Sequence, residues 1–180
     1  MLWNLGVFGF VMWLPSIIRA ASDLDIVQTG WLSAIPYLLA SVSMIVASYF
    51  SDKTLNRRRF IWPFLAISGI AFCASCLVSE DNFFLSFVLL VIAGGSIYAP
   101  YGPFFASLTE LIPRNVAGGA IALVNSFGAL GSFVGAFVVG YLHGVTGSFT
   151  SSYLFMASAL FIAALISLLG FNDKNERSVQ

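Results

Sequence analysis

The side chains in this sequence that could do chemistry away from water are amides, hydroxyls and phenols rather than charges. Asn125 sits in a glycine-rich run, and Ser33, Tyr37, Ser41 and Ser48 advance by four, four and seven residues. Tyr98 and Tyr101 flank Pro100 and Pro103 within Gly94-Gly95-Ser96-Ile97-Tyr98-Ala99-Pro100-Tyr101-Gly102-Pro103-Phe104-Phe105. Groups of this kind hydrogen-bond a polar solute or a neighbouring helix. They do not hold a fixed charge or shuttle protons. A charge deep in a membrane costs at least about 2.5 kcal/mol and usually marks an ion or proton pathway. No Asp, Glu, Lys or Arg lies deep in any apolar stretch here. The chain by itself therefore supplies only part of any site that needs a buried charge.

Other reactive types are sparse. Cys73 and Cys76 form a C-x-x-C in an apolar run without further ligands, and read as packing residues. His143, at the outer end of the fifth apolar stretch, reads as an exposed interfacial residue. Neither a metal site, a cofactor motif nor a catalytic constellation is expected, so the chain does not read as an enzyme.

The elements that must position these groups follow from composition. Of 180 residues, 59% are hydrophobic and 9% charged, with 18 Phe and a mean hydropathy of +0.93. A soluble domain is about a quarter charged, so this excess belongs in lipid. A spanning helix needs roughly 20 apolar residues. Gaps between charges give spans over 2–18, 26–50, 60–79, 83–109, 117–142 and 153–170. The expectation is an all-α membrane protein, a six-helix transmembrane bundle over 1–170 with a cytoplasmic tail over 171–180. That excludes a soluble enzyme domain, a nucleic-acid binder and a disulfide-rich module, and leaves no room for twelve helices.

Lys53, Arg57, Arg58 and Arg59 lie between the second and third spans, Arg114 between the fourth and fifth, and Lys174 and Arg177 on the tail. Arg19 alone lies opposite, with Asp23, Asp25, Glu80 and Asp81. Basic short loops face the cytoplasm, which places both termini there. Trp3, Trp13, Trp31, Trp62 and Tyr153 fall near span ends and read as an aromatic belt. The first span has no basic residue before it and Arg19 after it. Either upstream residues with a basic loop are missing from this chain, or the later helices dictate its topology.

Helical periodicity then assigns faces. In the fifth span Asn125, Gly128, Ser132, Gly135, Ala136 and Val139 share a face, flanked by Gly131 and Ala129. Gly128, Gly131 and Gly135 suit close helix packing. Asn125 must bond a neighbouring helix or face a polar cavity. Pro36 is expected to loosen the second helix beside Tyr37. Pro100 and Pro103 predict a kinked or broken fourth helix that either lines a cavity or packs its tyrosines on neighbouring helices. The third and sixth spans lack comparable polar stripes and read as outer, lipid-facing helices.

Several segments then taken together resemble the C-terminal half of a major facilitator superfamily carrier. More narrowly, they resemble the anion:cation symporter family of organic-acid permeases. They are Gly9-Phe10-Val11-Met12-Trp13-Leu14-Pro15-Ser16-Ile17-Ile18 and Gln28-Thr29-Gly30-Trp31-Leu32-Ser33-Ala34-Ile35-Pro36-Tyr37. Ser51-Asp52-Lys53 with Arg57-Arg58-Arg59 follows, then Glu110-Leu111-Ile112-Pro113-Arg114 leading to Gly118, Asn125, Gly128, Gly131, Gly135 and Gly140. The basic loop is similar to the superfamily's G-x-x-x-D-[RK]-x-G-[RK]-[RK] element. Ser48 stands where its first glycine is expected, Leu55 near the second, and the spacing is one residue longer.

The resemblance implies half of a bacterial inner-membrane permease for small organic anions, such as hexonates, 2-ketogluconate or tartrate-like acids. It implies alternating access, a co-transported proton, surrounding membrane lipid, and an N-terminal six-helix half carrying the charged machinery. It gives Asn125, Tyr37, Ser41, Tyr98, Tyr101 and Asn4 as substrate-binding residues. Asp52, Lys53, Arg57, Arg58, Arg59, Glu110 and Arg114 would form a cytoplasmic latch, a basic loop that sets topology, or both. The competing readings are an inactive truncated remnant, and a homodimeric scaffold or pore assembled through the glycine face.

Overall fold

The computed structural model describes residues 1–22, 24–78 and 82–170, and every regular element among them is helical. They are α1 (Leu2–Ala20), α2 (Ile26–Thr54), a 3-10 turn (Arg57–Phe60), α3 (Trp62–Val78), α4 (Phe83–Tyr98), α5 (Tyr101–Leu111), α6 (Ala117–Thr146) and α7 (Thr150–Gly170). Helices α4 and α5 together make one span, giving six stretches long and apolar enough to cross a membrane. The expected tail over 171–180, with Lys174 and Arg177, lies outside the described residues, as do Asp23, Glu80 and Asp81.

Local chemistry sets the ends. The Asp25 carboxylate accepts from the Val27 and Gln28 backbone N–H groups, and Gln28 Oε1 accepts from the Asp25 N–H, a reciprocal cap that starts α2. Helix α2 then runs past the expected end through Asp52 and Lys53. It stops at Leu55, whose φ of 53° is left-handed. Helix α6 likewise continues to Thr146, where Gly147 at φ 70° closes it.

Pro15 and Pro36 lie inside continuous helices, so the loosening expected beside Tyr37 stops short of a break. Pro100 and Pro103 do break their span. The first lacks the N–H that would serve the Ser96 carbonyl and the second the one for Ala99, so two successive turns lose a bond. Helix α4 stops at Tyr98 and α5 begins at Tyr101.

Helix α1 is central, packing on α6, α7, α2 and α4, while α3 packs on α4 and α7. Its buried Phe10, Leu14, Ile17 and Ile18 meet Phe72, Ile97, Met156 and Leu160 in one core. Helices α1 and α6 run parallel. Gly131 lies on the Met1 carbonyl, Gly135 on the Leu5 carbonyl and Gly140 on the Trp13 ring. The glycine face that a homodimeric scaffold or pore would use is therefore occupied by α1 of the same chain. Asn125, placed by periodicity on that face, is exposed instead. The covered strip runs Gly128, Gly131, Gly135, Val139, and α1 begins level with Gly131.

Lipid offers no hydrophobic drive between helices, so packing and interhelical hydrogen bonds at about 0.6–2 kcal/mol each hold the bundle. Ser68 Oγ donates to the Ala93 carbonyl at 3.0 Å, Ser75 and Ser86 hydroxyls pair at 3.0 Å, and Ser152 Oγ donates to the Val139 carbonyl at 3.0 Å. Helices α3 and α7 thus carry buried serine bonds that their reading as outer helices without polar stripes overlooked, while Ile67, Ile70, Leu165 and Leu169 keep an exposed apolar side. The least covered helices are α2 and α6. Only 22% and 17% of their most apolar stretches are buried, against 50% for the α4–α5 span.

The aromatic belt needs correction as well. Trp31 is 76% exposed, as a belt residue should be. Trp3 and Trp13 turn inward because an indole N–H in lipid seeks an acceptor. Tyr153 is buried, stacked on Phe72. His143 is not an exposed interfacial residue. It lies flat on Phe149 at 3.9 Å, with Trp13 beside it at 6.2 Å. Cys73 and Cys76 are half-buried free thiols.

Candidate functional site

Asn4, one turn into α1, is joined to α5 through Tyr101, whose hydroxyl donates to Asn4 Oδ1 at 3.3 Å. Tyr101 stacks on Tyr98 at 5.7 Å across the α4–α5 break, and Tyr98 meets Tyr37 of α2 edge-on at 6.5 Å. The break lets these two tyrosines face the same way from different helices. Four of the six residues given to the substrate surface, Asn4, Tyr37, Tyr98 and Tyr101, thus form one continuous chain of contacts.

Trp3 completes it, and the belt reading had missed it. Its ring lies 4.3 Å from Tyr101 and 5.6 Å from Phe104, and its Nε1–H donates to the Ile97 carbonyl at 2.9 Å. The available signal was its position beside Asn4, within reach of the break. The result is a neutral surface of ring faces, phenol hydroxyls and one amide. Such a surface recognises hydroxyls and planar groups, and the charge of an anion must be met elsewhere.

Ser41 and Asn125 stand apart. Ser41 is exposed and returns its hydroxyl to the Tyr37 carbonyl at 2.9 Å, so its bond is already made. Ser33 and Ser48 close onto Thr29 and Met44 in the same way. Asn125 lies on the open side of α6, three residues before Gly128, which itself adjoins the Asn4 amide. Among the described residues no group of three or more His, Cys, Asp or Glu side chains is placed to hold a metal ion.

A second cluster gathers where α2 and α5 end. Arg57, 7% exposed, pairs with Asp52, with Glu110 at 2.7 Å and with the Ser51 hydroxyl at 3.2 Å. One planar guanidinium thereby ties the end of α2 to the end of α5, with geometry a lysine could not supply. Arg58 donates to the Leu168 carbonyl near the end of α7. Of the seven latch residues these four are engaged with one another or with a helix end. Lys53, Arg59 and Arg114 are exposed. Leu55 adopts the left-handed turn that a glycine would make without strain, at a cost of about 1–2 kcal/mol.

The chain matches the Major Facilitator Superfamily over residues 1–180. It is 31% identical over 168 residues to a putative tartrate transporter of Agrobacterium vitis, covering 92% of this chain and 36% of that protein. It is 29% identical to a quinolone resistance transporter of Acinetobacter baumannii, covering 93% and 36% of the two. A probable galactarate/D-glucarate transporter of Bacillus subtilis is 27% identical, with 89% and 36% covered. The chain spans little more than a third of the length of these curated relatives.

Proposed function

The chain belongs to the Major Facilitator Superfamily, and from that premise we propose that it acts as the C-terminal six-helix half of a carrier for small organic anions. Its substrates are sugar acids or tartrate-like acids, moved by alternating access with a co-transported proton. An N-terminal six-helix half supplies the cation that meets the carboxylate and the groups that carry the proton. The observation that carries this reading is the neutral Asn4–Tyr101–Tyr98–Tyr37 surface, suited to the hydroxyls of such an acid and not to its charge. Two further features support it. The chain accounts for about a third of each relative's length, and α2 and α6 present rows of exposed apolar residues, among them Leu38, Val42, Ile45, Phe127, Phe133 and Phe137.

In this reading the carrier lies in a bacterial inner membrane with the Arg57 end cytoplasmic, as the basic residues of the short loops favour. The Arg57–Asp52–Glu110 cluster serves there as a latch. Asn125 faces the substrate path from the exposed side of α6.

The test is uptake of labelled tartrate and D-glucarate into proteoliposomes under an imposed proton gradient. The chain with its N-terminal half should give saturable uptake of at least one acid, and Asn125→Leu should weaken it with normal insertion. Saturable, proton-driven uptake by the chain alone would overturn the need for a second half. Loss of neither KM nor rate in Asn125→Leu would remove that residue from the path.

A further inference from the structure

Gly128, Gly131 and Gly135 lie on one strip of α6, yet they meet different kinds of atom. A Cβ at Gly131 or Gly135 would run into the backbone carbonyls of Met1 and Leu5. A Cβ at Gly128 would sit 2.5 Å from Asn4 Nδ2 and 3.7 Å from Asn4 Cγ. The first two glycines set the distance between helices. The third makes room for a side-chain amide.

Asn4 has little freedom left. Its Oδ1 accepts from Tyr101 on α5 at 3.3 Å, which turns Nδ2 toward the bare backbone of Gly128 on α6. Both neighbours are needed, since the phenol fixes which edge of the amide faces α5 and the missing side chain lets the other edge reach α6. A methyl at 128 must displace the amide and with it the hydrogen bond from Tyr101. Because the obstructed atom ends a side chain, this displacement needs no movement of α1. At 131 or 135 the helix itself must shift.

We propose that Gly128 is a positioning residue for substrate recognition, holding the Asn4 amide in register with Tyr101 at the junction of α1, α5 and α6. The proposal rests on the assignment of Asn4 to the substrate surface. Its work is done by what is absent at 128, and it acts through Asn4 alone.

The test uses the transporter assembled with its N-terminal half, and uptake of labelled tartrate and D-glucarate resolved into KM and maximal rate. Gly128→Ala, Asn4→Ala and Tyr101→Phe should each raise KM, by about tenfold for the loss of one oriented hydrogen bond, with maximal rate within about twofold. Gly128→Ala combined with Asn4→Ala should be no worse than Asn4→Ala alone. Gly131→Ala should instead lower the amount of folded carrier and leave KM unchanged. If Gly128→Ala inserts poorly, adding Asn4→Ala should restore insertion by emptying the contested space, and failure to do so overturns the proposal. Additive effects on KM, or a normal KM in Gly128→Ala beside a raised one in Asn4→Ala, also overturn it. A normal KM in Asn4→Ala removes the assignment of Asn4 beneath it.

Discussion

Trp3 donates its indole hydrogen to the carbonyl of Ile97, a residue 94 positions away, at the mouth of the α4–α5 break. Helices that lose backbone bonds at membrane depth must have them replaced. Here a side chain of α1 reaches the last turn of α4, while the same ring packs on Tyr101 at the start of α5. One residue of α1 thus touches both sides of the break.

Trp3→Phe tests this bond without removing the ring. The stacking on Tyr101 and Phe104 is retained and the donor is lost. Stability in detergent should fall by about 1 kcal/mol, read as a lower denaturation midpoint. An unchanged midpoint would mean the bond contributes nothing to the fold.

Arg57→Lys separates charge from geometry. A lysine keeps the positive charge but cannot serve Asp52, Ser51 and Glu110 together. The end of α5 should loosen, so that a cysteine placed at Leu111 reacts faster with a membrane-impermeant thiol reagent. Equal labelling rates in the two proteins would show that charge alone holds these helix ends.

Leu55→Gly should stabilise the chain. The left-handed φ at this turn strains a side-chain-bearing residue, and glycine relieves it while adding freedom to the unfolded chain. The net gain expected is up to about 1 kcal/mol, seen as a raised midpoint in the same assay. A lowered midpoint would mean that the Leu55 side chain has packing worth more than the strain.

Gly135→Val should cost about 2 kcal/mol or more, because α1 must move away from α6. Gly118→Val, where a side chain meets open space, is the control and should cost nothing, since valine is no worse a helix former than glycine. Similar losses at both positions would argue against the close α1–α6 approach.

The six spans and the break were legible in the sequence because charge gaps and paired prolines act locally. What escaped was direction. The belt rule assigns a tryptophan near a span end to the interface, yet Trp3 and Trp13 occupy such places with their indoles turned inward. Only the fold reveals the acceptors, since the Ile97 and Ala136 carbonyls that they bond lie 94 and 123 residues away. Glycine spacing announced a close helix contact on α6 and could not say that the partner was α1. Hence Asn125, drawn onto the same face by periodicity, was grouped with glycines that are covered when it is not. The serines of α3 were overlooked for a related reason. Ser68 and Ser75 are polar at isolated positions, and their meaning comes from α4 opposite.

The hydroxyls of α2 have one more consequence. Ser33, Ser41 and Ser48 each spend their hydrogen on their own helix, as Ser126 and Ser132 do on α6. The two least covered helices therefore offer these five donors to their surroundings already satisfied. Such rods can leave the translocon singly and rest against acyl chains during biogenesis with these five hydroxyls already bonded. The exposed Ser41 and Ser126 among them can later exchange lipid for protein without breaking either of those bonds.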